Sequence, residues 1–313
     1  MQLLFDIVIP VFLLMVLGWG CRRYGLLEEH SAGSLNSYVF YIAVPALMFL
    51  STASVDIDSV LRWDFIAVYL GGSCLAVVLS FLCWRRLNLE QPLDWTVIAL
   101  NSAWANTVYM GVPIFYFMFG DRGTLPVVIS TLASNLVFIL ILALMSEIQN
   151  SEAGIWQKLK KLLVQALLKN PIMMAPILGM LVSISGLNLP AVILTPLDML
   201  APSAAPVALF ALGMSLYGLE VKRAGFDLAW LSLVKLILHP LVTYLLALAV
   251  GLDPFWAASA VLLASLPTGA MVFVLAQQYQ TRVTLTSATI MVTTLLSIVT
   301  LAVILPVLKQ WGG

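Results

Sequence analysis

Residues 101–120, NSAWANTVYMGVPIFYFMFG, are apolar enough to lie inside a lipid bilayer, yet they cannot cross it as one regular helix. Pro113 has no N–H to offer the carbonyl four residues back, and Gly111 loosens the backbone beside it. Asn101, Asn106 and Thr107 put two amides and a hydroxyl into the same run. At membrane depth, backbone released from a helix is tolerated only where protein, water or a ligand takes up its polar groups. A second apolar run, 255–278, carries the same kind of interruption at 264–270, ASLPTGA, with Pro267 and Gly269 inside it. Broken helices that recur in the two halves of a chain are the usual binding elements of secondary transporters.

The 313 residues are 62% hydrophobic and 10% charged, with a mean hydropathy of +1.04. Soluble globular proteins carry roughly 25% charged residues, so this composition describes an integral membrane protein with no room for a sizeable soluble domain. The net charge is zero, which leaves no footprint for nucleic acid. Cys21, Cys74 and Cys83 stand alone, without zinc or disulfide spacing, and read as small buried hydrophobes. The first residues, MQLLFD, lack the basic region of a cleaved signal, so 3–20 reads as a retained first span.

A span needs about 20 mostly apolar residues. That length places helices at 3–20, 36–54, 63–84, 95–119, 125–146, 170–187, 197–217, 227–250, 255–278 and 285–308, an all-α fold of ten transmembrane helices. Taking alternate loops, one side holds Arg22, Arg23, Arg85, Arg86, Lys158, Lys160, Lys161, Lys169, Lys222, Arg223 and Arg282, and the other only Arg62, Arg122 and Lys309. The excess of basic residues marks the cytoplasmic side, so both termini are expected outside. Loop 147–169 is the longest and divides the chain into 1–146 and 170–313. Its stretch 158–169, KLKKLLVQALLK, reads as a basic amphipathic helix lying on the inner membrane surface.

Prolines repeat across that divide. Ile7-Val-Ile-Pro10 is echoed by Met173-Met-Ala-Pro176, the Pro45 segment by the Pro206 segment, and Pro113 by Pro267. Five helices per half is an odd number, so the second copy must enter the membrane upside down. The expectation is an inverted 5+5 repeat whose broken fourth and ninth helices cross antiparallel near the midplane.

Neither broken helix contains a carboxylate, and no Asp pair sits within a span, which argues against proton-for-sodium exchange. There is no HExxH, no Ser/His pairing at depth and no Walker loop, so intramembrane proteolysis and ATP-driven pumping have no machinery. No enzyme activity, cofactor or metal site is expected. The crossing offers positive half-helix ends with Asn106 and Thr107 facing Ser265 and Thr268, a set suited to a carboxylate. The simpler reading is a pair of proline kinks whose polar groups are satisfied between helices. Lys235, in the eighth span, could pair with substrate or snorkel to the interface. Asp198, at the expected start of the seventh, could cap that helix or serve as a coupling carboxylate. Asn36 and Asn135 read as amides bonding between helices.

Asn106-Thr-Val-Tyr-Met-Gly-Val-Pro113 resembles the Asn-Thr-x-x-Met-Gly-x-Pro segment of the auxin efflux carrier family, which includes plant PIN-type exporters and bacterial malonate and malate carriers. Leu266-Pro-Thr-Gly-Ala-Met-Val-Phe-Val-Leu-Ala-Gln-Gln-Tyr279 is similar to its Leu-Pro-x-Gly run, and the segments at 38–45 and 210–216 also look like family segments. The likeness spans the chain and matches the short bacterial form. It implies an NhaA-like fold, with helices 1, 2, 6 and 7 as scaffold and 3–5 with 8–10 as transport domain. It also implies organic anion substrates bound where helices 4 and 9 cross, and a homodimer. Asn106, Pro113, Pro267 and Gly269 match the family's crossover positions; Met271 stands where some bacterial relatives carry asparagine.

The expectation is therefore a secondary active transporter of small carboxylate anions in the cytoplasmic (inner) membrane, working by elevator-like alternating access. Its substrate-binding set is Asn106, Thr107, Gly111, Pro113, Ser265, Pro267, Thr268 and Gly269, with Lys235 and Asp198 as charge partners. A cation-coupled symporter of the bile-acid type and an anion channel remain as alternatives.

Overall fold

In the computed structural model, which describes residues 9–53, 62–86, 92–149, 160, 164, 170–218 and 225–312, the regular elements are helical throughout. In chain order they are α1 Ile9–Arg23, α2 Glu29–Tyr38, α3 Val44–Ala53, α4 Trp63–Ser80, α5 Pro92–Ala103, α6 Val112–Phe119, α7 Thr124–Gln149, α8 Pro171–Ser185, α9 Ala191–Leu200, α10 Ala204–Leu216, α11 Phe226–Leu233, α12 His239–Val250, α13 Pro254–Ser265, α14 Met271–Gln278 and α15 Val283–Gly312. Tight or widened turns continue α2 into α3, α9 into α10 and α11 into α12. Among the described residues, five helices are long and apolar enough to cross a membrane: His30–Ala53, Trp63–Cys83, Ala191–Leu216, Phe226–Val250 and Val283–Trp311. Thr107–Phe119, Thr124–Val137, Pro171–Ser185 and Pro254–Ser265 are shorter apolar helices, and two of these are pieces of the interrupted runs.

Proline explains where the helices change character. Pro45, Pro113 and Pro240 each follow a five-residue π turn that ends two positions earlier, at Val39–Ala43, Thr107–Gly111 and Val234–Leu238. Proline cannot donate to the carbonyl four residues back, and its ring crowds that carbonyl. Widening the preceding turn by one residue moves the carbonyl aside without ending the helix.

Two compact units form. One is built from Ile9–Arg62 and Val108–Tyr217. Here α1 lies along α10 so closely that a Cβ on Gly18 would strike the carbonyl of Phe210, and one on Gly213 the carbonyl of Met15. α8 lies along α3 in the same way, with Gly179 against the Thr52 hydroxyl and the Phe49 carbonyl. The Thr52 hydroxyl lies 3.1 Å from the carbonyl of Pro176 in α8. Val39, Val44, Met48, Val128, Ile172 and Ala208 fill the core between these helices. Asn36 donates from Nδ2 to Ser215 Oγ at 3.3 Å, bonding between helices as its sequence position suggested.

The other unit is built from Trp63–Thr107 and Gly218–Gly313. α4 packs on α12 where Gly72 meets Thr243, and α13 is buried from Phe255 to Ser265 among α4, α12 and α15. Asp94 at the start of α5 holds the turn before α15, accepting from Thr281 Oγ1 at 2.6 Å and from Arg282 Nη2 at 3.0 Å. Gln280 and Arg282 there adopt φ of 51° and 49°, a conformation costly for residues with side chains.

Several expectations need correction. Helix α9 begins at Ala191, not 197, so Asp198 lies inside an α-helix and caps nothing. Side-chain caps occur at Asn170 and Asp253, which accept from the amides of Ile172 and Phe255. Cys74 is exposed, and Cys21 and Cys83 half-buried, because the outward faces of these helices are as apolar as the inward ones. α6 and α7 group with α1–α3 and α8–α10 instead of joining α4, α5 and α11–α15, as the scaffold-and-transport division would have them. The break at 104–106 frees α6 from α5, and Gly123 then ties α7 to α6 by its approach to the Phe115 carbonyl. Ile7 of the first span, Lys222 with Arg223, and nearly all of the basic helix expected at 158–169 lie outside the described residues.

Replacing Gly213 with Val should cost about 1–3 kcal/mol through overpacking against the α1 backbone. Thermal unfolding in detergent would register this, whereas Gly20→Val, with open space around its Cβ, should leave the midpoint unchanged.

Candidate functional site

The chain leaves the α-helix at 104–106, ahead of Pro113, and again at 266–270 around Pro267. The two breaks run antiparallel and exchange backbone hydrogen bonds like a minimal β-bridge between Ala105 and Thr268. The Asn106 amide donates to the Pro267 carbonyl at 2.9 Å, and the Gly269 amide to the Trp104 carbonyl at 3.0 Å. Thr268 donates its amide to Thr293 Oγ1 on α15 at 3.2 Å. These bonds answer the question set by the sequence, namely where freed backbone groups go at membrane depth. Gly269 is required here: a Cβ would lie 2.8 Å from the Trp104 ring and 3.0 Å from the Ala105 carbonyl.

Four half-helix ends meet at this bridge, two negative and two positive. Side-chain donors cover both negative ends. Thr268 Oγ1 donates to the Asn101 carbonyl in the last turn of α5 at 2.7 Å. Lys235 Nζ donates to the Ala264 carbonyl in the last turn of α13 at 2.8 Å. The positive ends belong to the helix that starts at Thr107 and to α14, which starts at Met271. Beside them Asn106 is buried, and its Nδ2 has no hydrogen-bond partner. A buried polar group left without a partner costs about 1–3 kcal/mol, and Asn101 Oδ1, an acceptor on α5, is left in the same way.

The structure gathers Asn106, Thr107, Ser265, Pro267, Thr268 and Gly269 around one bridge, all buried. Ser265 and Thr268 direct their hydroxyl protons to the backbone carbonyls of Val261 and Asn101, so they hold the breaks in shape. Gly111 and Pro113 belong to the other compact unit, where they close the π turn and open α6. Asp198 also lies in that unit and is exposed. Lys235 does not snorkel: it is fully buried, with His239 Nδ1 at 3.1 Å as its other partner.

The family model for membrane transport proteins matches residues 3–305. A protein of Rhizobium meliloti (strain 1021) named as a candidate malonate transporter is 30% identical over 308 residues, covering 97% of this chain and 95% of its own. An uncharacterised transporter of Methanothermobacter thermautotrophicus is 27% identical over 95% of both chains. Auxin efflux carrier component 2 of Arabidopsis thaliana is 29% identical over 140 residues, 44% of this chain and 21% of its own.

The chain belongs to the auxin efflux carrier family of membrane transport proteins. It is an integral membrane transporter and not an enzyme, and a small-molecule substrate and a lipid environment follow from that membership. In this auxin efflux carrier family member, some site residues escaped the sequence reading. Thr286 accepts from Asn101 Nδ2 at 3.0 Å, and Thr293 receives the Thr268 amide. The signal was present as hydroxyls at helical spacing at 286, 289, 293 and 297, within a helix that carries further hydroxyls at 284, 287, 294 and 300. His239 also emerges only when the π turn brings its ring to Lys235.

Thr293→Val keeps the shape of the residue but strands the buried Thr268 amide. Its expected cost is about 1–3 kcal/mol of stability, measurable as a lowered unfolding midpoint of the purified carrier.

Proposed function

We propose that this carrier moves small carboxylate anions across the cytoplasmic membrane by secondary transport, binding them at the bridge between the two broken helices. The observation that carries this reading is the unpartnered, buried Nδ2 of Asn106 beside two positive half-helix ends, with the negative ends already covered by Thr268 and Lys235. A carboxylate supplies both the missing acceptor and the complementary charge. Asn106 donates to the carboxylate, Thr107 and Gly269 bring backbone close to it, and Ser265, Pro267 and Thr268 keep the break open. Gly111 and Pro113 set the direction of the half-helix that follows. A dicarboxylate of malonate size fits the name of the Rhizobium relative.

The same reading takes the chain as ten membrane-crossing helices in an inverted 5+5 repeat, 1–146 and 170–313 joined by a cytoplasmic linker, with both termini outside. Two internal symmetries support it. The bridge is antiparallel, and the close pairing of α1 with α10 is matched by that of α8 with α3, as an inversion exchanging first with sixth and second with seventh helices requires. Alternating access then presents the bridge to each side in turn, elevator-like, within a homodimer.

Asn106→Ala removes one hydrogen bond to a charged ligand and should weaken malonate binding about ten- to a hundredfold, with the fold intact. Thermal shift of the purified protein against a carboxylate panel, paired with uptake into proteoliposomes, checks it. Undiminished transport by the folded variant would remove Asn106 from the site, and single-channel currents would replace the carrier by an anion channel.

A further inference from the structure

Lys235 sits on the π turn Val234–Leu238, fully buried, and its nitrogen has two partners: the Ala264 carbonyl at 2.8 Å and His239 Nδ1 at 3.1 Å. π turns inside α-helices occur frequently at functional positions. The far side of the ring fixes the tautomer. Ser73 Oγ gives its proton to the Tyr69 carbonyl at 3.0 Å and lies 3.3 Å from His239 Nε2. With that proton already committed, Ser73 can only accept, so Nε2 carries the imidazole hydrogen and Nδ1 presents its lone pair to Lys235. Lys235 therefore has two acceptors for its N–H groups. A neutral amine has two N–H groups and a lone pair, whereas an ammonium has three N–H groups. The site matches the amine in donors and leaves room for one proton.

Among the described residues, no carboxylate bonds the Lys235 amine. Against this turn pack α4, α5, α11, α12, α13 and α15. Their ionisable groups are Asp64, Tyr69 and Cys74 on α4, Asp94 on α5, Asp227 on α11, His239 and Tyr244 on α12, and Lys309 on α15, with none on α13. Of these only His239 bonds the amine, and Asp94 is engaged by Thr281 and Arg282. Two bases 3.1 Å apart share one proton between them, because a second would place like charges in contact at low dielectric.

We infer that the Lys235–His239 pair is the proton-binding site that couples this carrier, taking up one proton with each carboxylate and releasing both on the other side. This rests on the carboxylate reading above. Ala264, which receives the Lys235 bond, lies three residues before Pro267, whose carbonyl receives the Asn106 amide. The pair therefore holds one end of the stretch 264–267, whose other end is bonded to the residue that would bind the anion. Proton and anion favour each other, and by reciprocity the proton tightens the anion as much as the anion tightens the proton. No sodium ion is needed.

The test is malonate binding to the purified full-length carrier in weakly buffered detergent at pH 7.5–9, where malonate is already a dianion. About one proton should be taken up per malonate bound, and Kd should rise up to about tenfold per pH unit through the coupled range. Lys235→Met and Lys235→Arg should bind malonate without proton uptake and with a Kd independent of pH. Malonate binding without proton uptake by the wild type overturns the proton site and leaves the carboxylate reading standing. So does uptake that persists in a folded Lys235→Met variant, or binding that requires sodium. Failure of every carboxylate in the panel to bind at any pH overturns both. The wild-type measurement decides even where the variants do not fold.

Discussion

Two peptide segments that cannot remain helical hold each other in place within one compact unit of this transporter. Once Pro267 and the 104–106 break leave amides and carbonyls unpaired in an apolar interior, those groups must find partners or the fold loses several kcal/mol. The mutual bonds of Asn106 with Pro267 and of Gly269 with Trp104 supply them. Much else in that unit serves the same end. α15 brings Thr293 to the Thr268 amide, α5 presents the Asn101 carbonyl to Thr268, and α13 is buried on all sides so that its last turn meets Lys235.

The chain treats the two kinds of half-helix end at the bridge differently. Carbonyl ends receive protein donors, a hydroxyl at Asn101 and an amine at Ala264. A pocket for a cation would leave those carbonyls open and cover the amides. Here Asn106 Nδ2 is an uncommitted donor, and Asn101 Oδ1 in the last turn of α5 is an uncommitted acceptor. The carboxylate reading proposed above rests on which poles the chain has already neutralised.

The interrupted runs, the membrane class and, at the bridge, Asn106, Pro267, Thr268 and Gly269 were legible in the sequence because proline and glycine inside apolar runs have few tolerable explanations; Trp104 and Ala105 were not. The place of the first break was not. Pro113 pointed to the middle of its own run, yet the chain leaves the α-helix at 104–106 and is helical again, as a π turn, before the proline is reached. A proline in the first turns of a new helix is tolerated without a break; the antiparallel partner, 185 positions away in the Asn101–Thr286 bond and similarly remote at Thr268, selected the site. Asp198 misled for a local reason: α9 begins seven residues before it, at Ala191, directly after Pro190. The Lys235–His239 contact follows the π turn, whose cause, Pro240, was visible but whose effect on side-chain direction was not.

The three π turns before Pro45, Pro113 and Pro240 each insert one residue beyond what an α-helix would use. One residue is about 100° of rotation at 3.6 per turn. Every side chain past such a turn is therefore out of phase with those before it, and the helix presents a different longitudinal stripe to its neighbours above and below. Deleting one residue there would scarcely shorten the helix, but would swing its whole distal half by more than a quarter turn. In these helices, residue count sets azimuth before it sets reach.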